Sequence, residues 1–175
     1  MHSVSRAICG ALVAASLGSF ATSSYAADKI DAGDGKSSIE ALEARFTAAC
    51  NAKDVNAIMK EYAPGAGLFV FDVIPPRQYA GWDAYKKDWQ DTFAAFPGPV
   101  KFSIADLSVT VVGTVGYGHS IQQAHLTHKD GSVLDVVVRV TDVYRKLHGR
   151  WLIVQEHVSV PVDFDHNKPD LMSKP

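Results

Sequence analysis

The sequence predicts an α+β domain: three N-terminal helices, and a strongly curved, mostly antiparallel sheet of about six strands wrapped on them as a cone. Three observations predict it. Apolar residues recur at spacings of three, four and seven in the first half of the chain, the one-sided stripe of packed helices. Pro97-Gly98-Pro99 then stops the helical half, because proline lacks the amide hydrogen that a helix needs. Four long runs rich in Val, Thr and Tyr follow: Phe102–Val112, Val115–His125, Val133–Lys146 and Arg150–Val160.

The elements follow in order. Residues 1–26 read as a signal peptide, with Arg6 as its basic start, Ile8–Leu17 as its apolar stretch and Ser24-Tyr25-Ala26 placing small residues for cleavage after Ala26. The run is too short to span ~30 Å of hydrocarbon as a helix. Cys9 does not follow a Leu-x-x-Cys lipoprotein pattern. A secreted or periplasmic protein is expected, free of the membrane after cleavage. Removing residues 1–26 from 175 leaves 149, one domain of ordinary size. Arg6 leaves with the leader, taking Lys plus Arg from 17 to 16 against 19 acids, a net charge of about −3. With no basic run, nucleic acid and anionic membrane surfaces are excluded as partners. Cys50 is then the only cysteine, so no internal disulfide can form, and its place on an apolar stripe reads as a small buried hydrophobe.

Residues 27–36 are Gly- and Asp-rich and read as a flexible lead-in, after which Ser37 or Ser38 caps a helix carrying Ile39, Leu42, Phe46, Ala49 and Cys50 on one face. Asp54 caps a short second helix with Ala57, Ile58 and Tyr62 inward, ended by Pro64-Gly65. Leu68–Asp72 is a short strand, broken by Pro75-Pro76, and a further short piece is expected near Gln78. The third helix, Asp83–Ala95, stacks Tyr85, Trp89 and Phe93. Asp130-Gly131 and His148-Gly149 supply the later turns, Gly113-Thr114 a weaker one. Residues 166–175 read as a C-terminal tail.

The last hairpin carries polar groups between apolar ones. A three-residue loop, Leu147-His148-Gly149, sets Lys146 opposite Arg150, Tyr144 opposite Leu152 and Asp142 opposite Val154. Asp142 and Glu156 then share one face with Val138, Val140, Tyr144, Leu152, Val154 and Val158. Arg139 and His157 share the other with Thr141, Trp151, Ile153 and Ser159. A two-residue turn would change this matching, since a one-residue slip turns a strand over.

The segments Arg139-Val-Thr141, Tyr144-Arg-Lys146, Gly149-Arg-Trp151-Leu-Ile and Glu156-His-Val-Ser-Val-Pro161 resemble the SnoaL-like branch of the nuclear transport factor 2-like superfamily, home of ketosteroid isomerases, scytalone dehydratase, polyketide cyclases and a kinase association domain. The resemblance covers most of the mature chain and implies a domain over residues 37–165. Relatives often carry His-Glu-His in the last strand, where this chain has Gln155-Glu156-His157. The resemblance implies a cone with a cavity, a homodimer paired through its sheets, and a small apolar or aromatic ligand. It also implies, if the domain catalyses, cofactor-free isomerisation, dehydration or cyclisation, with a binding or assembly module as the alternative.

Candidate catalytic residues are Asp72, His119 and Asp142. Asp72 ends a strand where the superfamily often places acids, or else caps the turn that follows. Asp142 is a carboxyl for an apolar cavity, or one at the sheet rim paired with Arg145 or Lys146. His119 alternates on its strand with Tyr117, Ile121 and Gln123. Candidate ligand-binding residues are Tyr62 and Trp89 at the mouth, Tyr117, Glu156, and Arg139 with His157, the last two otherwise groups of a dimer face. No residues stand at metal-ligand spacing beyond His125-x-x-His128, and Gly113, Gly116 and Gly118 fall within strands rather than in a phosphate loop.

Overall fold

The computed structural model describes the backbone of residues 27–172 and the side chains from residue 34 onward; the leader expected over residues 1–26 lies outside the described residues. Helix α1 is Ala27–Ala52, α2 is Val55–Met59 and α3 is Trp82–Ala95. The strands are β1 Phe69–Phe71, β2 Tyr79–Ala80, β3 Val100–Val112, β4 Val115–Thr127, β5 Val133–Leu147 and β6 Arg150–Ser159, followed by the short pair β7 Val162–Asp163 and β8 Lys168–Pro169. Six strands form one mixed sheet, ordered β2-β1-β6-β5-β4-β3, in which only the β1–β6 pairing is parallel.

Helix α1 packs on the sheet through the stripe the sequence shows: Ile39, Leu42, Phe46, Ala49 and Cys50 are all buried. It starts earlier than the capping serines suggest. The helix runs back to Ala27, through the residues read as a lead-in, and the hydroxyls of Ser37 and Ser38 donate to the Asp34 carbonyl at 3.2 and 2.7 Å, a bond made inside a helix. Gly35 explains part of the composition there: a Cβ would lie 2.9 Å from Val111 Cγ1 and 3.1 Å from Trp151 Cζ2. Asp54 caps α2 as expected, accepting from the Ala57 amide at 3.0 Å.

Two bulges bend the sheet around the helices. In β3, Asp106 and Leu107 together oppose one residue of β4, with Asp106 at φ 53°. In β6, Val154 is the extra residue between the Val143–Gln155 and Tyr144–Ile153 pairs. The β5–β6 turn has two residues, not three: Leu147 pairs with Arg150, and His148 (φ 49°) and Gly149 (φ 81°) take the left-handed conformations of a type I′ turn. Lys146 therefore opposes Trp151, Tyr144 opposes Ile153 and Asp142 opposes Glu156. Trp151 and Ile153 join the core with Tyr144, while Leu152 falls on the far side opposite Arg145. The bulge at Val154 shifts the remainder of β6 by one residue. Glu156 returns to the inner face with Asp142, and His157 to the outer face with Arg139.

The described part of the C-terminal segment reaches back to the sheet. The Val137 amide donates to the Leu171 carbonyl at 2.7 Å, and the Asp170 amide to that of Pro161 at 2.9 Å.

Candidate functional site

Between α3, the inner sheet face and the C-terminal segment lies a cavity of about 330 Å³. Its wall is mainly apolar: Phe46, Trp89, Phe93 and Phe102 from the helices and β3, Val136 and Val138 from β5, and Leu171 from the C-terminal segment. Asp72, from the end of β1, and Glu156, from β6, bring carboxyls to this wall. Such a cavity, apolar with a few convergent polar groups, is the usual form of a small-molecule site.

Tyrosines hold the carboxyls. Glu156 accepts from Tyr85 at 2.6 Å on Oε1 and from Tyr62 at 2.8 Å on Oε2. The Tyr85 hydroxyl also lies 3.3 Å from Asp72 Oδ2, so one phenol links the two acids. Behind Glu156 sits its ladder partner Asp142, only 2% exposed. Tyr144 donates to Glu43 at 2.7 Å and lies 3.4 Å from Asp142 Oδ2, while Asp142 Oδ1 has no hydrogen-bond partner.

Burial sets the electrostatics. Glu156 is pushed up to about 7, chiefly by desolvation and further by Asp72, against the opposing Tyr85 and Tyr62 hydrogen bonds. Glu43 is likewise pushed up to about 7 by burial, with Tyr144 opposing. Asp142 rises well above the ordinary carboxylate range through burial and the charges of Glu156 and Glu43. Asp72 is raised by burial and by Asp88, with the Val73 amide pulling the other way. The Asp72 side chain thus accepts from the Val73 amide on Oδ1, as a turn cap does, and meets the Tyr85 hydroxyl through Oδ2 at the cavity wall. Cys50 lines the cavity, but burial raises its thiol and keeps it protonated.

The structure divides the predicted residues between the two sides of the sheet. Asp72, Trp89 and Glu156 line the cavity, with Tyr62 and Asp142 directly behind Glu156. His119 and Tyr117 do not reach it. The inner side of β4 is Gly116, Gly118, Ser120 and Gln122, and strand alternation sends Tyr117 and His119 outward, where Tyr117 is 54% exposed. Arg139 and His157 are also on the outer face, exposed, the His157 ring 5.6 Å from Phe71. The trio Asp72, His119 and Asp142 is therefore not assembled at one point.

Three residues of the network are absent from the sequence-derived candidates: Glu43, Tyr85 as a donor, and Tyr144. Glu43 had a readable signal, since it lies four residues after Ile39 and three before Phe46, an acid on the apolar stripe itself. Among the described residues no three or more His, Cys, Asp or Glu are grouped to hold a metal ion, and no helix is long and apolar enough to cross a membrane.

The sequence profile of the SnoaL-like domain matches residues 39–163. A search of functionally curated proteins gave no match. Among solved structures, the chain is similar to a nuclear transport factor 2-like protein of unknown function from Pseudomonas putida, with TM-score 0.73 and 28% identity over 82% of this chain and 98% of that one. It is also similar in fold to a nuclear transport factor 2-like superfamily protein from Salmonella enterica (TM-score 0.67, 16% identity, 75% and 94% covered). A third is a ketosteroid isomerase-like protein from Erwinia carotovora atroseptica (TM-score 0.60, 19% identity, 70% and 93% covered).

Proposed function

The chain belongs to the SnoaL-like family, and on that premise we propose that it binds a small apolar or aromatic molecule and performs cofactor-free acid–base chemistry on it. The observation that carries this reading is a cavity carboxyl, Glu156, held near neutrality at about 7 and joined through Tyr85 to Asp72. A general base works best when its pKa lies near the ambient pH, and an apolar wall keeps water from competing. Glu156 takes a proton from a carbon next to a carbonyl, and Tyr85 or a protonated Asp72 donates to the oxygen where charge develops. Isomerisation, dehydration and cyclisation all contain such a step.

A bicyclic aromatic ketone, 2-tetralone, tests it through deuterium exchange at its α-carbons in D2O, followed by NMR. The protein should accelerate exchange, and Glu156→Gln should remove about 10²-fold or more of that acceleration. One observation favours a second reading, a non-catalytic binding module: both oxygens of Glu156 already accept tyrosine hydrogen bonds. Exchange no faster than in buffer, together with saturable binding of 2-naphthol, supports that rival. Binding itself is checked by Val136→Trp, which fills the cavity; if a folded Val136→Trp protein binds 2-naphthol as well as the parent, the pocket reading is lost.

The proposal includes a periplasmic or secreted setting, which requires an exported protein whose intact mass begins at Ala27. It also includes a homodimer through the outer sheet face, where Val112, Val115 and Tyr117 are exposed together. Light scattering should give twice the chain mass, and Tyr117→Arg the single mass. A monomeric parent protein contradicts this part.

A further inference from the structure

Among the described residues, every charged side chain in the cavity wall is an acid: Asp72, Asp88 and Glu156 line it, and no described Lys, Arg or His does. Two cations on α1 and the turn after it are engaged elsewhere. Arg45 donates to both oxygens of Glu61 at 2.9 and 2.8 Å, and Lys53 donates to the carbonyls of Phe96 and Gly98 at 2.7 and 3.2 Å. Behind Glu156 the acidic groups continue with Asp142, whose Oδ1 is buried and unpartnered.

The remaining wall is strongly aromatic. Trp89 lies 5.9 Å from Phe46 and 5.6 Å from Phe93, ring centre to ring centre, and Phe46 lies 5.6 Å from Phe102. Ring faces attract a cation through their quadrupole, and more so out of water. Carboxylates attract it through charge, strongly where the effective dielectric is low. The same wall repels an anion.

Resting on the pocket reading above in its binding form, with Glu156 and Asp72 receiving charge rather than moving a proton, we propose that the ligand is an organic cation, an aromatic or alicyclic amine whose ammonium is received by these two carboxylates and whose hydrocarbon body lies against Trp89, Phe93 and Phe102.

Proton linkage follows from this geometry. An ammonium favours ionised Glu156, so its affinity rises with pH through about 7 and then levels off. Among the described residues, the titratable groups facing Glu156 are Glu43 and Cys50 from α1, Tyr62 after α2, Asp72 just after β1, Tyr85 from α3 and Asp142 from β5. None of them carries positive charge.

Three probes with one ring system separate the possibilities: 2-naphthylmethylamine, 2-naphthalenemethanol and 2-naphthoate, titrated calorimetrically into the mature protein. At pH 8 the ammonium should bind about tenfold tighter than the alcohol and the naphthoate weakest. The ammonium alone should gain affinity between pH 6 and 8. Glu156→Gln should narrow the ammonium-to-alcohol ratio, and the comparison within the parent protein stands even if that variant does not fold. An alcohol or naphthoate that binds as tightly as the ammonium overturns the cation assignment and leaves the pocket reading intact. If no probe binds, or if Val136→Trp binds all three unchanged, the pocket reading itself fails and this assignment with it.

Discussion

Glu156 is a carboxyl that folding makes harder to ionise, and that has a measurable consequence. Its folded pKa of about 7, like that of Glu43, lies above the unfolded 4.5, so the native state holds the proton more tightly than the unfolded chain does. The stability this gives is fully present below about 4.5 and is lost as pH rises through about 7. Each group acting alone contributes on the order of 3 kcal/mol. The melting temperature should therefore fall between about pH 5 and 8, and Glu156→Gln should reduce the slope by roughly one proton. Asp130 and Asp163 are lowered by their Ser132 and His166 hydrogen bonds, so they act on the acid side of that window and do not mask it. A melting temperature that is flat or rises from pH 5 to 8 contradicts this account. At this scale the sequence was partly legible. Acids among aliphatic residues marked Asp142 and Glu156 as unusual, but which tyrosines would meet Glu156 depends on a helix and on the segment after α2, packed from 71 and 94 residues away.

Strand β4 shows why facing was harder to read than strand identity. Its polar residues Tyr117 and His119 stand out in the sequence, yet the packed side is the one with Gly116 and Gly118. These glycines are inner because large groups approach them. A Cβ on Gly116 would lie 2.7 Å from Ile39 Cδ1, and one on Gly118 would lie 3.0 Å from the Ser108 carbonyl and 3.4 Å from the Tyr144 ring. Tyr144 can reach Glu43 because β4 leaves that space. Gly118→Ala should therefore cost about 1–3 kcal/mol, since a backbone carbonyl cannot easily yield, whereas in Gly116→Ala the tip of Ile39 can turn aside and the cost should be smaller. Urea denaturation of both variants checks the order, and equal or reversed losses would refute it. The β5–β6 hairpin teaches a related point. The two-residue turn and the Val154 bulge each move the register by one, so the facing of Asp142 and Glu156 comes out as the sequence suggests although the pairing behind it does not. Turn length is local chemistry, whereas a bulge answers to sheet curvature, which no short window of sequence contains.

On the scale of the whole molecule, the cone needs a cover, and the C-terminal segment supplies it. Its sequence, with Asp165, His166, Asn167 and Lys168, is polar enough to read as tail, which hid the part that Pro169 and Leu171 play in the cavity wall. Among its described residues, the Val137–Leu171 backbone bond and the apolar contact of Pro169 and Leu171 with the cavity hold it to the sheet, while the Asp170–Pro161 bond and the β7–β8 pairing lie within it. Phe164, at the tip of this hairpin, is 91% exposed and adds nothing to that hold. A segment so held opens more readily than the long central strands, and ligand exchange should pass through it. Ending the chain after Val160 should leave the six-stranded sheet folded, with far-ultraviolet dichroism close to that of the full chain. The same truncation removes one side of the wall, so 2-naphthol should dissociate about tenfold faster, or more, in stopped-flow fluorescence, with a much smaller change in association. Dissociation at the parent rate would show that the ligand leaves by another route and that the segment is no cover. Loss of the sheet itself would show that residues beyond 160 belong to the folding core, which their exposure argues against, since residues 162–169 are exposed throughout.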